Sequence, residues 1–246
     1  RKLIVAPEGF VLVRVDWSQI ELRVFAALAN DSRMLEAIHS GRNLHRETAI
    51  ALGWNPDEPS PSKLRATRYD DAKVINFLML YGGTPWKISQ EFHIPIDQAK
   101  QIENRYYVAF PKIKQYHEQQ KAIAHSERKV SLWTGRTRRL DGMYSEHTAT
   151  IRESEREAVN TPVQGGAAEV VKRTMNRLHY DYSAPMVCQI HDELRFESPE
   201  KDAQEYSRWL FDFIPTVTEI NGVRFPIEIG FGKNWQEAKE DILFKP

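Results

Sequence analysis

The strongest β-like runs of this chain lie near its two ends, and the stretch between them is patterned for helices. Val11-Leu12-Val13-Arg14-Val15 reads as a buried strand. Residues 185–190 and 194–198 read as a hairpin around His191, Asp192 and Glu193. Further strands are expected over 223–229. Between the ends, the pattern predicts helices over 63–81, 95–107 and 113–126. A short hairpin is expected from 130–133 and 138–140 around Thr134-Gly135. Helices over 152–159 and 163–180 should be separated at Pro162, a residue suited to opening the second one. Residues 55–62 hold three prolines and two serines and read as a loop. A sheet built from both ends of a chain with a helical insertion is an α+β architecture.

That order places two carboxylates at strand ends. Asp16 closes the first strand, and Asp192 lies in the later hairpin. If they face one cleft, they suit two divalent cations roughly 3.5–4 Å apart, the device for in-line phosphoryl and nucleotidyl transfer. Asp alone more often caps a helix or a turn. Lys73, Phe77 and Tyr81 fall at i, i+4 and i+8, one stripe of a helix. A lysine there can meet a triphosphate, and the rings can stack on a base or sugar. The bland alternative for an aromatic stripe is core packing.

The chain has 246 residues and a formal net charge of zero, unevenly spread. From Gln189 onward there are 12 acidic and 7 basic residues. Arg136, Arg138 and Arg139, with Arg128 and Lys129 nearby, form a basic patch able to contact phosphates, though charge alone favours a solvated basic loop. No apolar run approaches the roughly 18 residues of a membrane span. The single cysteine, Cys188, excludes an internal disulfide, fits a reducing compartment, and is expected to be a small buried side chain in its strand.

Several strings, in one order, carry a resemblance. The segment Asp16-Trp17-Ser18-Gln19-Ile20-Glu21-Leu22-Arg23 resembles motif A of the family A DNA polymerases. Lys73-Val74-Ile75-Asn76-Phe77 with Tyr81-Gly82 resembles motif B, and His191-Asp192-Glu193 resembles motif C. Weaker echoes are Asn43-Leu44-His45-Arg46, Asn160-Thr161-Pro162-Val163-Gln164-Gly165 and Gly232-Lys233-Asn234-Trp235. The resemblance implies a palm, an antiparallel sheet with helices, over 1–30 and 153–246, interrupted by helical fingers over 31–152. A thumb and any exonuclease domain would precede Arg1. It implies a DNA-directed DNA polymerase that adds dNMP to a primer 3′-hydroxyl with two Mg²⁺ ions, or Mn²⁺ in their place. Its partners would be DNA primer-template and dNTP. The chain is expected to be a monomer, cytoplasmic in a bacterial or phage-infected cell, and poorly active as an isolated piece.

The resemblance also assigns roles. Asp16 and Asp192 would hold the metals, with Glu193 and Lys73 assisting catalysis. His45, Arg68, Lys73, Phe77, Tyr81, Gln19 and Glu21 would meet the nucleotide, Glu21 by crowding a ribose 2′-hydroxyl. Arg156, Asn160, Gln164, His191 and Arg136 would meet DNA. The chain departs from the family pattern at two positions. Trp17 stands where a tyrosine is usual. Tyr69 stands where an arginine usually precedes the lysine by four residues, and Arg68 is expected to take that role. The rival Arg65 shares the stripe but lies about 12 Å before Lys73 along a regular helix. A non-catalytic nucleic-acid-binding remnant is the alternative reading, and a two-metal nuclease a further one.

Overall fold

The computed structural model describes residues 3–245; Arg1, Lys2 and Pro246 lie outside the described residues. The chain forms two compact units: a sheet unit of Arg1–Arg23 with Ala167–Pro246, and a helical unit of Val24–Gly166. In chain order the elements begin with β1 (Phe10–Trp17), α1 (Ile20–Ala29), α2 (Ser32–His39) and α3 (Leu44–Ala51). Then come α4 (Arg68–Leu80), α5 (Pro85–Phe92), α6 (Ile96–Ala109) and α7 (Pro111–Glu127). The hairpin β2 (Lys129–Ser131) and β3 (Thr137–Arg139) precedes the long α8 (Thr148–Tyr182). The rest is β4 (Met186–Ile190), β5 (Glu193–Pro199), α9 (Ala203–Val217), β6 (Glu219–Ile220), β7 (Val223–Arg224), β8 (Ile227–Gly232), α10 (Trp235–Glu240) and β9 (Ile242–Phe244). The fold class is α+β. No helix among the described residues is long and apolar enough to cross a membrane.

In the sheet unit the strand order is β4-β5-β1-β8-β9, and every pairing is antiparallel. Alternation along β1 sorts its side chains. Val11, Val13, Val15 and Trp17 share a face with Leu194, Phe196, Ile227 and Ile229, and all are buried. Helix α9 covers this face, with the Tyr206 ring 6.1 Å from that of Phe196. The opposite face carries Arg14 and Asp16. There, Gly230 and Gly232 let α10 lie directly on β8: a Cβ at Gly232 would fall 2.5 Å from the Cβ of Glu237.

The helical unit is organised by caps. The Asp31 carboxylate accepts from the backbone N–H groups of Arg33 and Met34 at the start of α2, and from that of Lys112 at the start of α7. One buried side chain thus satisfies the open donors of two helices. Helix α4 starts at Arg68 rather than at 63, because Thr67 and Asp70 form a capping box. The residues before it are held as a loop: Pro59 bridges Thr67, and the Arg68 N–H donates to the Glu58 carbonyl at 2.8 Å.

Two further expectations are corrected. Helix α8 runs through Pro162 without a break. An interior proline forfeits one hydrogen bond and crowds the preceding turn, but Val159, Pro162 and Val163 are buried, and packing holds the helix together. Cys188 is exposed, because β4 is an edge strand whose middle faces solvent.

Candidate functional site

In the sheet unit, the ladder sets Asp16 opposite Glu193 on β5 and Glu228 on β8. Asp192 sits in the two-residue turn between β4 and β5, where its carbonyl accepts from the Trp17 N–H at 3.2 Å. The two proposed metal-ligating aspartates are therefore brought to neighbouring strand ends. His191 begins that turn at φ +54, the left-handed region that His, Asn and Asp enter most readily among non-glycines.

Beneath them lies a buried charge network. Arg14 pairs with Asp16, and its Nε donates to Glu193 Oε2 at 2.7 Å. Arg195 Nε donates to Glu193 Oε1 at 2.8 Å, and Trp235 Nε1 donates to the same oxygen at 3.1 Å. Burial pushes the Glu193 carboxyl up, but the Arg14 hydrogen bond and the two arginine charges outweigh it and hold the group below the usual carboxylate range. Both Glu193 oxygens are engaged, so this residue neutralises arginines. By contrast, the half-buried Asp192 carboxylate makes no hydrogen bond or ion pair among the described residues.

A hard divalent cation prefers oxygen ligands and completes its shell with water and phosphate. Asp16 and Asp192 fit that chemistry as a pair. Among the described residues no group of three or more His, Cys, Asp or Glu could hold a metal by itself. Gln19 and Glu21 follow β1 directly: Gln19 takes φ +54, and Glu21 lies half-buried in the first turn of α1.

In the helical unit, Lys73, Phe77 and Tyr81 do form one stripe of α4. The rings of Phe77 and Tyr81 are 6.4 Å apart and nearly parallel, and Phe77 is exposed. Lys73 lies 4.5 Å from the Tyr69 ring and 3.7 Å from Asp70. Tyr69, in the place of the missing arginine, thus becomes the platform for the lysine. His45 arrives from α3, its ring 6.2 Å from Phe77 and 5.8 Å from Tyr69. Burial and the Lys73 charge lower its pKa to about 4. After Tyr81, Gly82 at φ +66 closes the helix, and the Gly83 N–H donates to the Leu78 carbonyl at 2.6 Å.

Arg68 does not join this stripe. It lies about 140° around the helix from Lys73, its guanidinium 3.2 Å from Asp71 and 4.9 Å from the Trp54 ring. Arg65 precedes the helix and is fixed by Asp71 and Glu91.

Arg156, Asn160 and Gln164 form a stripe of α8, with Arg156 and Gln164 exposed. Asn160 Oδ1 is buried and has no hydrogen-bond partner among the described residues. Arg136 is exposed in the β2–β3 connection, just before β3. Arg138 is tied to α8 through Glu157 at 2.7 Å and Thr161 at 3.0 Å. Trp133 Nε1 also donates to the Gly166 carbonyl at 3.1 Å, so the hairpin is pinned to that helix.

Sequence reasoning missed Arg14 and Arg195, and it held Asn76 and Trp235 only as members of motif strings, with no role of their own. For Arg14 a signal existed: a charge inside an apolar strand, two residues before Asp16, must share its face.

A profile described as DNA polymerase family A matches residues 1–237. The thermostable DNA polymerase I of Thermus aquaticus is 35% identical over 245 residues, 98% of this chain and 29% of that protein. The DNA polymerase I of Deinococcus radiodurans is 32% identical over 243 residues, 97% of this chain and 25% of that protein. The chain thus spans under a third of the length of these relatives. Among solved structures, the POL domain of Pol1 from M. smegmatis, in complex with DNA primer-template and dNTP, aligns with a TM-score of 0.87 and 27% identity. That alignment covers 97% of this chain and 42% of the other.

Proposed function

The chain belongs to DNA polymerase family A, and on that premise we propose that it carries template-directed transfer of dNMP to a primer 3′-hydroxyl, with release of pyrophosphate. Residues 1–30 with 153–246, which include the sheet unit, are the palm, and residues 31–152, within the helical unit, are the fingers. The observation that carries the reading is the pairing of β1 with β5, which sets Asp16 beside the turn bearing Asp192, whose carboxylate has no partner among the described residues.

Asp16 and Asp192 would hold Mg²⁺, two ions in all, or Mn²⁺. When bound, such ions activate the 3′-oxygen and stabilise charge on the transferred phosphoryl and its leaving group. Arg14 orients Asp16, and Glu193 keeps Arg14 and Arg195 neutralised. Lys73 supplies a point charge to the triphosphate, and His45 a hydrogen-bond donor. Phe77 and Tyr81 offer flat surfaces to base and sugar. Gln19 and Glu21 lie against the sugar, where Glu21 excludes a 2′-hydroxyl. Arg156, Asn160, Gln164, His191 and Arg136 meet the primer-template. The polypeptide acts as a monomer.

Primer extension by the protein is the test. Extension with dNTP and Mg²⁺, lost on chelation and restored by adding the metal back, is expected. Metal-independent extension, or DNA binding without extension, would overturn it.

A further inference from the structure

Asn76 lies three residues after Lys73 on α4 and is wholly buried. Its side-chain oxygen accepts from the Thr48 hydroxyl at 3.0 Å and from the Tyr106 phenol at 3.3 Å. Its nitrogen lies 3.0 Å from His45 Nδ1. Which end of an amide faces which neighbour follows from the hydrogen-bond network, and here Tyr106 decides. The Tyr106 phenol is fully buried, and its hydrogen bond to Asn76 is the only one it makes among the described residues. A buried hydroxyl proton without an acceptor is costly, so the amide atom facing Tyr106 is oxygen. Thr48 alone would not decide, because its hydroxyl also reaches the Leu44 carbonyl at 2.9 Å.

The Asn76 nitrogen, a donor only, then faces His45 Nδ1. That nitrogen must offer a lone pair, and the ring proton sits on Nε2. Nε2 has no hydrogen-bond partner among the described residues. The backbone and the ring of His45 are each held as well. Asn43 caps α3 by accepting from the His45 backbone N–H at 2.9 Å, and the Tyr69 and Phe77 rings flank it. Burial and the nearby Lys73 charge favour the neutral ring independently of this network.

We propose that Asn76 is a positioning residue: braced by Tyr106, it fixes His45 as the Nε2–H tautomer, so that the ring presents an uncharged hydrogen-bond donor to a phosphate oxygen of the incoming nucleotide. The opposite tautomer would turn a lone pair toward that oxygen and repel it. Positive charge at the triphosphate then comes from Lys73, and His45 contributes direction. The phosphate half of this proposal rests on the polymerase reading above; the tautomer half does not.

The two halves are tested separately. In the polypeptide labelled with ¹⁵N-histidine, two-bond ¹H–¹⁵N correlation spectra distinguish protonated from unprotonated ring nitrogens without any turnover. His45 should show an unprotonated Nδ1 and a protonated Nε2 at neutral pH; a protonated Nδ1 in the wild-type protein overturns the proposal. For the second half, Asn76→Ala should raise the apparent KM for dNTP about tenfold, the effect of weakening one hydrogen bond to a charged group. In a His45→Ala background the same substitution should add little, because Asn76 acts through the imidazole. An equal, additive increase in both backgrounds would overturn the positioning role. The wild-type spectrum remains decisive if Asn76→Ala does not fold. A preparation that shows the expected tautomer but no polymerase activity would sink only the nucleotide assignment.

Discussion

The carboxylate end of the sheet unit and the lysine–aromatic stripe of the helical unit assemble charge in opposite ways. In the first, Arg14, Glu193 and Arg195 are almost wholly buried, and Glu193 answers Arg14 across the strands and Arg195 along its own. In the second, the charge of Lys73 stands at the surface, while the buried layer below it, Asn76, Thr48 and Tyr106, is neutral. A buried ion pair that loses one partner strands the other in a medium of low polarity, at about 3–5 kcal/mol. A surface pair contributes about 0–1 kcal/mol. The sheet therefore fixes where its carboxylates stand by making errors costly. The helix leaves its cation at the surface in a loose pair with Asp70, where a ligand can reach it, and fixes orientation through hydrogen bonds instead.

The largest effect should come from the aspartates above the buried network. Asp16→Asn and Asp192→Asn should each cut nucleotide incorporation by about a thousandfold or more, since an amide is a poor ligand for a hard cation whose contribution is several kcal/mol. Asp192→Asn should leave the melting temperature nearly unchanged, because its carboxylate has no partner among the described residues to lose. Single-turnover incorporation and a thermal melt are the measurements. Near-normal incorporation by either variant removes that residue from the site.

Arg14→Met probes the network itself. It deletes a guanidinium that serves Asp16 and Glu193 together, and should destabilise the fold by about 3–5 kcal/mol in denaturant titration. A loss below about 1 kcal/mol would mean that the sheet network behaves like the surface charges of the helical unit.

Acid should weaken the helical unit in a defined window. His45 and His117 both have pKa values lowered to about 4, by burial first and then by Lys73 and Lys121 respectively. The unfolded chain binds protons near pH 6.5, so it holds more protons than the fold between about pH 6.5 and 4. Stability is then complete above about 6.5 and falls as pH drops toward 4, by up to roughly 3 kcal/mol per histidine. His117→Gln should remove about half of that slope in urea titrations across this range. An unchanged slope would show that the buried His117 is not the source.

These contrasts follow what the sequence could and could not reveal. Strand β1 and the hairpin around Asp192 are legible because alternation and turn length carry their own periods. The stripe of α4 is legible from i, i+4 spacing. The start of α4 is not legible from apolar periodicity; the capping box at Thr67 and Asp70 marks it, and it removes Arg65 from the helix altogether. The continuity of α8 through Pro162 depends on burial supplied by the rest of the fold, which local propensity does not contain. The buried arginines are half-legible: Arg14 shares a face with Asp16 by alternation, but its pairing with Glu193, 179 positions away, exists only once the sheet forms.

The smallest effect concerns Arg68, and it separates the two ways of using a cation within a single helix. Lys73→Ala should raise the apparent KM for dNTP by roughly ten- to a hundredfold, the loss of a charge-assisted phosphate contact of about 1.5–3 kcal/mol. Arg68→Ala should change it less than about threefold, within the range of a minor contact. The reason is directional. Asp71 is wholly buried and gathers Ser60 at 2.8 Å, Arg65 at 2.8 Å and Arg68 at 3.2 Å. Arg68 thus helps lock the loop before α4, on a side of the helix about 140° from the lysine. Its removal leaves Asp71 two other donors, so the stability loss should also be modest, about 1 kcal/mol. Steady-state dNTP titrations of the two alanine variants, each alongside a thermal melt, decide between these assignments. A KM increase for Arg68→Ala equal to that for Lys73→Ala would mean that the guanidinium leaves Asp71 and swings to the stripe when nucleotide binds.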